Sequence, residues 1–248
     1  MATVLAQSEV SAHLGVEEPD LTVVYYTANT IPEHFAKHTQ KQLLLAIGNL
    51  PLIVVSKKPM DLGELSENIV CDTPRSHVNI YKQAFIGVEA AQTKYIALAE
   101  DDILYSPEHF KFRPKPGKFA YNLSYWGIYT WTEPVFSFKG RKNLWSLICE
   151  RELFLEAMTE RFMKYPNDAD IDPNIFGEPG KYENKLGVTP RETEDFWTHP
   201  ANIMFSHESA ISFEGLGKRK ALGKLRATAL PYWGRAEVIQ GMYNARPE

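Results

Sequence analysis

The sequence predicts an α/β fold with a mostly parallel sheet covered by helices. Two observations carry this. Short continuous runs of apolar, β-branched residues, as buried parallel strands require, alternate with stretches of helical spacing. And the fourth such run, "YIALAE", ends in a cluster of carboxylates, Glu100-Asp101-Asp102, at the strand end where ligands of such sheets bind.

The elements follow in order. Residues 1 to about 19 read as an N-terminal arm. "LTVVYYT" (21–27) is a buried strand. In "PEHFAKHTQKQLLLAIG" (32–48), Phe35, Leu43, Leu44 and Ile47 share a helical face. "PLIVVS" (51–56) and "ENIVCD" (67–72) are further strands. "SHVNIYKQAFIGVEAAQTK" (76–94) is a helix with Ser76 as N-cap. The second half is aromatic and interrupted by Gly and Pro. Residues 118–140 read as short strands or hairpins, and 143–165 begin as a strand and become a helix. Residues 166–195 form a long polar loop, and 199–207 return to a strand. No internal repeat or low-complexity tract divides the chain. A single domain over 1–248 is expected, with a first half at 21–105 and a second at 106–248.

The net charge of -4 argues against a dominant nucleic-acid surface, while leaving room for a local basic patch. The two cysteines, Cys71 and Cys149, form neither a disulfide framework nor a metal-ligand spacing, so a reducing, cytoplasmic setting is expected. The start lacks the pattern of a secretory leader, and no run reaches the roughly 18 apolar residues of a membrane span. No stable membrane insertion is expected.

Three carboxylates at the end of a buried strand are costly unless neutralised, and hard oxygen ligands suit Mg²⁺ or Mn²⁺. Strand alternation places Glu100 and Asp102 on one side, sharing the cation site, and sends Asp101 elsewhere.

The stretch "GVEAAQTKYIALAEDD" resembles the segment that precedes the acidic metal motif in glycosyltransferases of the GT-A fold. Gly87, Ala91, Tyr95, Ile96, Leu98, Glu100 and Asp102 sit in matching positions. The first strand, "VVYYT", fits as well. The likeness covers about residues 21–105. It departs at Glu100, where Asp is commoner, and at Phe85, where many members carry Asn. What it implies is a GT-A-like fold and a nucleotide-sugar donor, a UDP-sugar favoured, whose diphosphate binds the metal. Residues 21–105 are then the nucleotide-sugar half and 106–248 the acceptor half, with a C-terminal metal and phosphate loop.

The resemblance also implies a late histidine as a further metal ligand. His207 is the best match, ahead of His199 and His77. It implies a carboxylate base in an "xED" motif. "TED" (193–195) offers Asp195, closer to His207 than the family places it, and Glu178 and Glu150 compete. At the end of the first strand, Tyr25 and Thr27 point one way and Tyr26 the other, so that one tyrosine stacks on the base and Thr27 hydrogen-bonds it. Arg75 reaches the sugar or a phosphate, or is a surface residue. Lys218 and Arg219, behind Gly215 and Gly217, form a diphosphate clamp, a solvated helix face or a nucleic-acid contact. Trp126, Trp131 and Trp145 fall in the acceptor half.

A metal-dependent glycosyltransferase is the expected function. Acceptors compatible with the sequence are a hydroxymethylated pyrimidine in phage-type DNA, a glycan or lipid precursor, or a small molecule. A nucleotidyltransferase and a non-catalytic binding module are the alternatives. The first of these would show a Gly-rich phosphate loop after the first strand, and "TANTIPEHF" has none.

Overall fold

The computed structural model describes residues 18–208, 210 and 222–245. β1 (Leu21–Tyr26), α1 (Glu33–Ile47), β2 (Leu52–Ser56), β3 (Ser66–Val70), α2 (His77–Ala90) and β4 (Tyr95–Glu100) follow in the predicted order. β1 and β2 are buried throughout, because α1 and α2 cover opposite faces of the sheet. Val24 and Tyr26 pack on the α2 side, and Val23 and Tyr25 on the α1 side. Ser76 caps α2 as expected, its hydroxyl accepting from the Asn79 amide at 3.1 Å. The helix stops at Ala90, four residues short of the predicted end. Residues 91–94 are needed to turn the chain so that Tyr95 can enter the sheet, where its amide donates to the Asp20 carbonyl.

The rest of the chain adds β5 (Ile103–Leu104), β6 (Lys118–Asn122), β7 (Tyr125–Tyr129), β8 (Phe136–Phe138), β9 (Leu147–Glu150) and α3 (Arg151–Lys164). Then come α4 (Glu183–Leu186), β10 (Glu192–Phe196), β11 (Asn202–Ser206), β12 (Arg226–Ala227), β13 (Ala229–Leu230), β14 (Gly234–Arg235) and α5 (Ala236–Asn244). Both halves build one seven-stranded sheet, in the order β10-β6-β9-β4-β1-β2-β3. Only β9 runs against its neighbours; every other pair is parallel. A second sheet, β12-β8-β7-β11-β5, joins the chain after β4 to the strand that ends near His207. β10 begins inside the stretch expected to be a polar loop and runs one residue past its end. It is an edge strand, and edge strands carry charged residues that discourage further pairing, which hides them from a search for apolar alternation.

A buried polar knot ties the two sheets together. His109, fully buried, accepts at Nδ1 from the side-chain amides of Asn122 (3.0 Å) and Asn202 (3.3 Å), so its proton sits on Nε2, which has no partner among the described residues. Burial holds its pKa down at about 3. Tyr105, Phe110 and Phe196 surround the ring, and among the described residues no charged group acts on it. In the unfolded chain this histidine protonates near pH 6.5, so the unfolded state takes up the proton first as pH falls. The stability of neutral His109 is therefore complete above about pH 6.5 and declines by about 1.4 kcal/mol per unit below it. Asp101 and Glu100, whose pKa values are raised, act in the opposite sense, so the comparison must be with a variant. His109→Gln is expected to be less stable at pH 7.5, with the gap to wild type narrowing by about 2 kcal/mol at pH 5. Urea midpoints at both pH values decide this; an unchanged gap refutes it.

Candidate active site

The carboxylates at the end of β4 open into a cleft of about 270 Å³. β1 and β4 run in parallel register with Tyr26 opposite Glu100, and this sets their partners. Tyr26 Oη donates to Glu100 Oε1 at 2.7 Å, and Thr27 Oγ1 donates to Asp101 Oδ2. Gln83 of α2 holds the Thr27 carbonyl at 3.1 Å. β4 ends at Glu100, and Asp101 and Asp102 form the turn before β5. The strand alternation expected to send Asp101 away therefore does not apply, and all three carboxylates line the same cleft.

His207 is brought to this turn by long-range pairing. β5 and β11 are antiparallel with Ile103 opposite Met204, and the Phe205 amide donates to the Asp102 carbonyl at 2.9 Å. Two residues on, buried His207 places Nε2 3.5 Å from Asp102 Oδ2. Asp102 Oδ1 and His207 Nδ1 are buried and have no hydrogen-bond partner among the described residues. Burial, and then the negative charge of Asp102, raise the Glu100 pKa well above the ordinary carboxylate range. The same two causes raise Asp101 to about 6.

These residues fit a divalent cation held by few protein ligands. Among the described residues no group of three or more His, Cys, Asp or Glu side chains is arranged to hold a metal ion. Asp102 and His207 are adjacent, however, and each keeps a buried polar atom unused. Mg²⁺ commonly takes only one or two carboxylates from protein and the rest of its shell from water and phosphate oxygens, and Mn²⁺ also accepts imidazole.

No family model and no curated protein matches this sequence.

Several solved structures are similar. The S. aureus TarS structure aligns at 9% identity and a TM-score of 0.42, over 76% of this chain and 37% of that one. The chain thus spans little more than a third of TarS. A glycosyltransferase involved in glycosylation of the major capsid of PBCV-1 aligns at 14% identity and 0.42, over 71% and 82%. The inositol-1-phosphate CTP transferase from T. maritima aligns at 11% and 0.40, over 77% and 92%. Likeness at this level identifies no family, and the chemistry must come from the cleft's own residues.

Of the residues singled out in the sequence, Tyr26, Thr27, Arg75, Glu100, Asp101, Asp102, Trp145, Glu178 and His207 line the cleft. Glu178 pairs with Lys181 at 2.9 Å, its side chain 13% exposed. The other two base candidates are elsewhere. Glu150 lies opposite Tyr95, at the far end of β4 from Glu100, about 17 Å away by strand rise, where it accepts from the Gly117 amide. Asp195 sits on the edge strand β10, outside the residues lining the cleft, with Lys142 at 3.4 Å. The stacking role expected of a tyrosine also fails. Tyr25 is buried on the α1 side, and Tyr26, 3% exposed, commits its hydroxyl to Glu100. Trp126 packs on Phe138 and Trp131 on Tyr129, away from the cleft. His77 lines the cleft but bonds the Phe176 carbonyl, and His199 does not reach it. Lys218 and Arg219 lie outside the described residues.

The structure adds Lys57, Asn79, Gln83 and Asn143 to the cleft. Asn79 and Gln83 carried a signal. They are polar residues four apart on the buried face of α2, where burial requires a polar partner. Lys57 directly follows β2, at the same carboxyl end of the sheet as Asp102. Asn143 had no such mark.

Proposed function

We propose that the protein is a metal-dependent glycosyltransferase that moves a sugar from a nucleoside-diphosphate donor to an acceptor hydroxyl. The observation that carries this is the Asp102–His207 pair, with its two unused buried atoms, facing the same cleft as Glu178. Among the described residues Glu100, Asp101, Asp102 and Glu178 line that cleft, so a diphosphate would be repelled without a cation. Asp102 and His207 would hold the cation, with Glu100 beside them. When bound, it would neutralise charge gathering on the leaving diphosphate.

The protein's own groups supply the rest. Lys57 and Arg75 provide positive charge on the donor side, and Thr27 and Tyr26 fix Asp101 and Glu100 in place. Trp145 and Asn143 form the wall nearest the second half of the chain, where the acceptor would lie. Glu178 accepts the proton of the acceptor hydroxyl. The acceptor oxygen bonds to the anomeric carbon, and the bond from that carbon to the diphosphate breaks with its electron pair left on phosphate oxygen. Glu178 replaces Asp195 and Glu150 in this role because it alone of the three reaches the cleft.

The test is donor hydrolysis across a panel of nucleotide sugars, UDP-sugars first, with Mn²⁺, Mg²⁺ or EDTA. Metal-dependent release of nucleoside diphosphate from one donor is expected. Pyrophosphate release from a nucleoside triphosphate would instead favour a nucleotidyltransferase. Metal-independent binding without turnover would favour a binding module. With the donor known, DNA bearing hydroxymethylated pyrimidines, glycans, lipid precursors and small hydroxyl compounds are the acceptors to compare. Glu178→Gln is expected to lower kcat by about 10²–10⁴ with little change in donor KM. A normal kcat would remove Glu178 from the mechanism.

A further inference from the structure

The segment that carries Glu178 is clamped from several sides. The Phe176 carbonyl receives a bond from His77 Nε2 at 2.7 Å. The Gly177 carbonyl receives one from Arg161, and the Pro179 carbonyl one from Tyr121 Oη at 2.5 Å. The Gly180 amide donates to Glu183. Backbone groups on both sides of Glu178 are thus each held by a side chain, from α2, α3, β6 or the start of α4. The two glycines allow the close fit. A Cβ on Gly177 would lie 2.9 Å from the Tyr182 ring, and Gly180 has a φ of +82° with Thr193 Cγ2 2.0 Å from where a Cβ would be.

At the centre of the clamp is a buried ion pair. Arg161 and Glu183 meet at 2.8 Å with side chains 1% and 7% exposed. Removing two charges from water generally costs as much as their attraction returns, and an apolar pair of similar volume often serves stability equally well. The side-chain hydrogen bonds that this pair makes beyond itself, to the Gly177 carbonyl and from the Gly180 amide, go to the backbone on either side of Glu178.

We propose that the Arg161–Glu183 pair is a positioning device that sets the Glu178 carboxylate against the acceptor hydroxyl; this rests on the assignment of Glu178 as the base. Both are positioning residues, acting through the loop and not on substrate. A base displaced by about 1 Å loses much of its effect on rate, so fixing the loop has a direct kinetic consequence.

The test replaces both charges together, Arg161→Met with Glu183→Leu, alone and combined with Glu178→Gln. Amide exchange across residues 176–182 needs no substrate and is expected to quicken at least about tenfold there, and not in β1 or β4. Affinity for UDP with Mn²⁺, by calorimetry, is expected to stay within about twofold, and donor-hydrolysis kcat to fall about tenfold or more at unchanged KM. In the altered protein, adding Glu178→Gln is expected to cost at least about tenfold less than it does in wild type, because an unpositioned base has less left to lose. A protected loop with normal kcat overturns the proposal, as does a full Glu178→Gln loss in the altered background. A harmless Glu178→Gln in wild type overturns the base assignment instead, while exchange still decides whether the pair clamps the loop. Should the double replacement not fold, Tyr121→Phe removes one hydroxyl from the clamp. It is expected to quicken exchange near Pro179 and lower kcat about threefold to tenfold; no change in either refutes the clamp.

Discussion

Asp102→Ala is expected to reduce metal-dependent donor hydrolysis by about 10³-fold or more, an effect on activity of the same order as that of Glu178→Gln. It removes one of the two adjacent groups whose buried atoms are unused, and leaves His207 alone to hold a cation. The fold should not suffer. Without metal, Asp102 is a negative charge beside Glu100 and Asp101 and raises the pKa of both. Its loss relieves that repulsion, so the melting temperature of the metal-free variant is expected to equal or exceed that of wild type. Added Mn²⁺ should raise the melting temperature of wild type, as any ligand of the native state does, and leave the variant unmoved. Thermal scans with and without Mn²⁺ check this alongside the hydrolysis assay. A variant that keeps both the metal-induced shift and its turnover would place the cation elsewhere and dissolve the role given to this turn.

The largest effect on stability is expected from a residue that touches no substrate. Gly87 faces the sheet from α2, and a Cβ there would stand 2.3 Å from Val24 Cγ1 and 3.0 Å from Val55 Cγ2. Both valines are fully buried and β-branched, with little freedom to rotate aside. Helix propensity alone would credit Gly87→Ala with a gain of about 1 kcal/mol. Packing reverses the sign. A loss of about 2–3 kcal/mol is expected, or roughly 4–12 °C in melting temperature for a chain of this size. Adding Val24→Ala should recover part of the loss by making room for the new methyl group. A stabilised Gly87→Ala, or a double variant whose losses simply add, would show that α2 does not rest on β1 at this point.

The contrast between the two halves of the chain shows what a sequence can convey. β1, β2 and β4 are runs of apolar residues because helices cover both their faces, and α1 and α2 are periodic because each covers one. These patterns are local, and so were Ser76 as a cap and the acidic end of β4. The GT-A resemblance also drew its positions from this stretch, Gly87 among them. In the second half the local pattern misleads. Glu192, Glu194 and Asp195 look like a loop because β10 is an edge strand with its charges in solvent.

The sequence by itself determined the architecture of the first half of the chain and the place of the carboxylates at a strand end. It did so because burial on two faces and helical periodicity are written within windows of a dozen residues. Only the tertiary structure decided which carboxylates share the cleft. Asp101 joined because the strand stops one residue before it, Glu178 because side chains from four elements hold its loop, and Glu150 left because β9 runs antiparallel to β4. His207 meets Asp102 through strand pairing across about a hundred residues of chain. Such register is a property of the assembled sheet, set when every strand has found its neighbour, and no local stretch of sequence contains it.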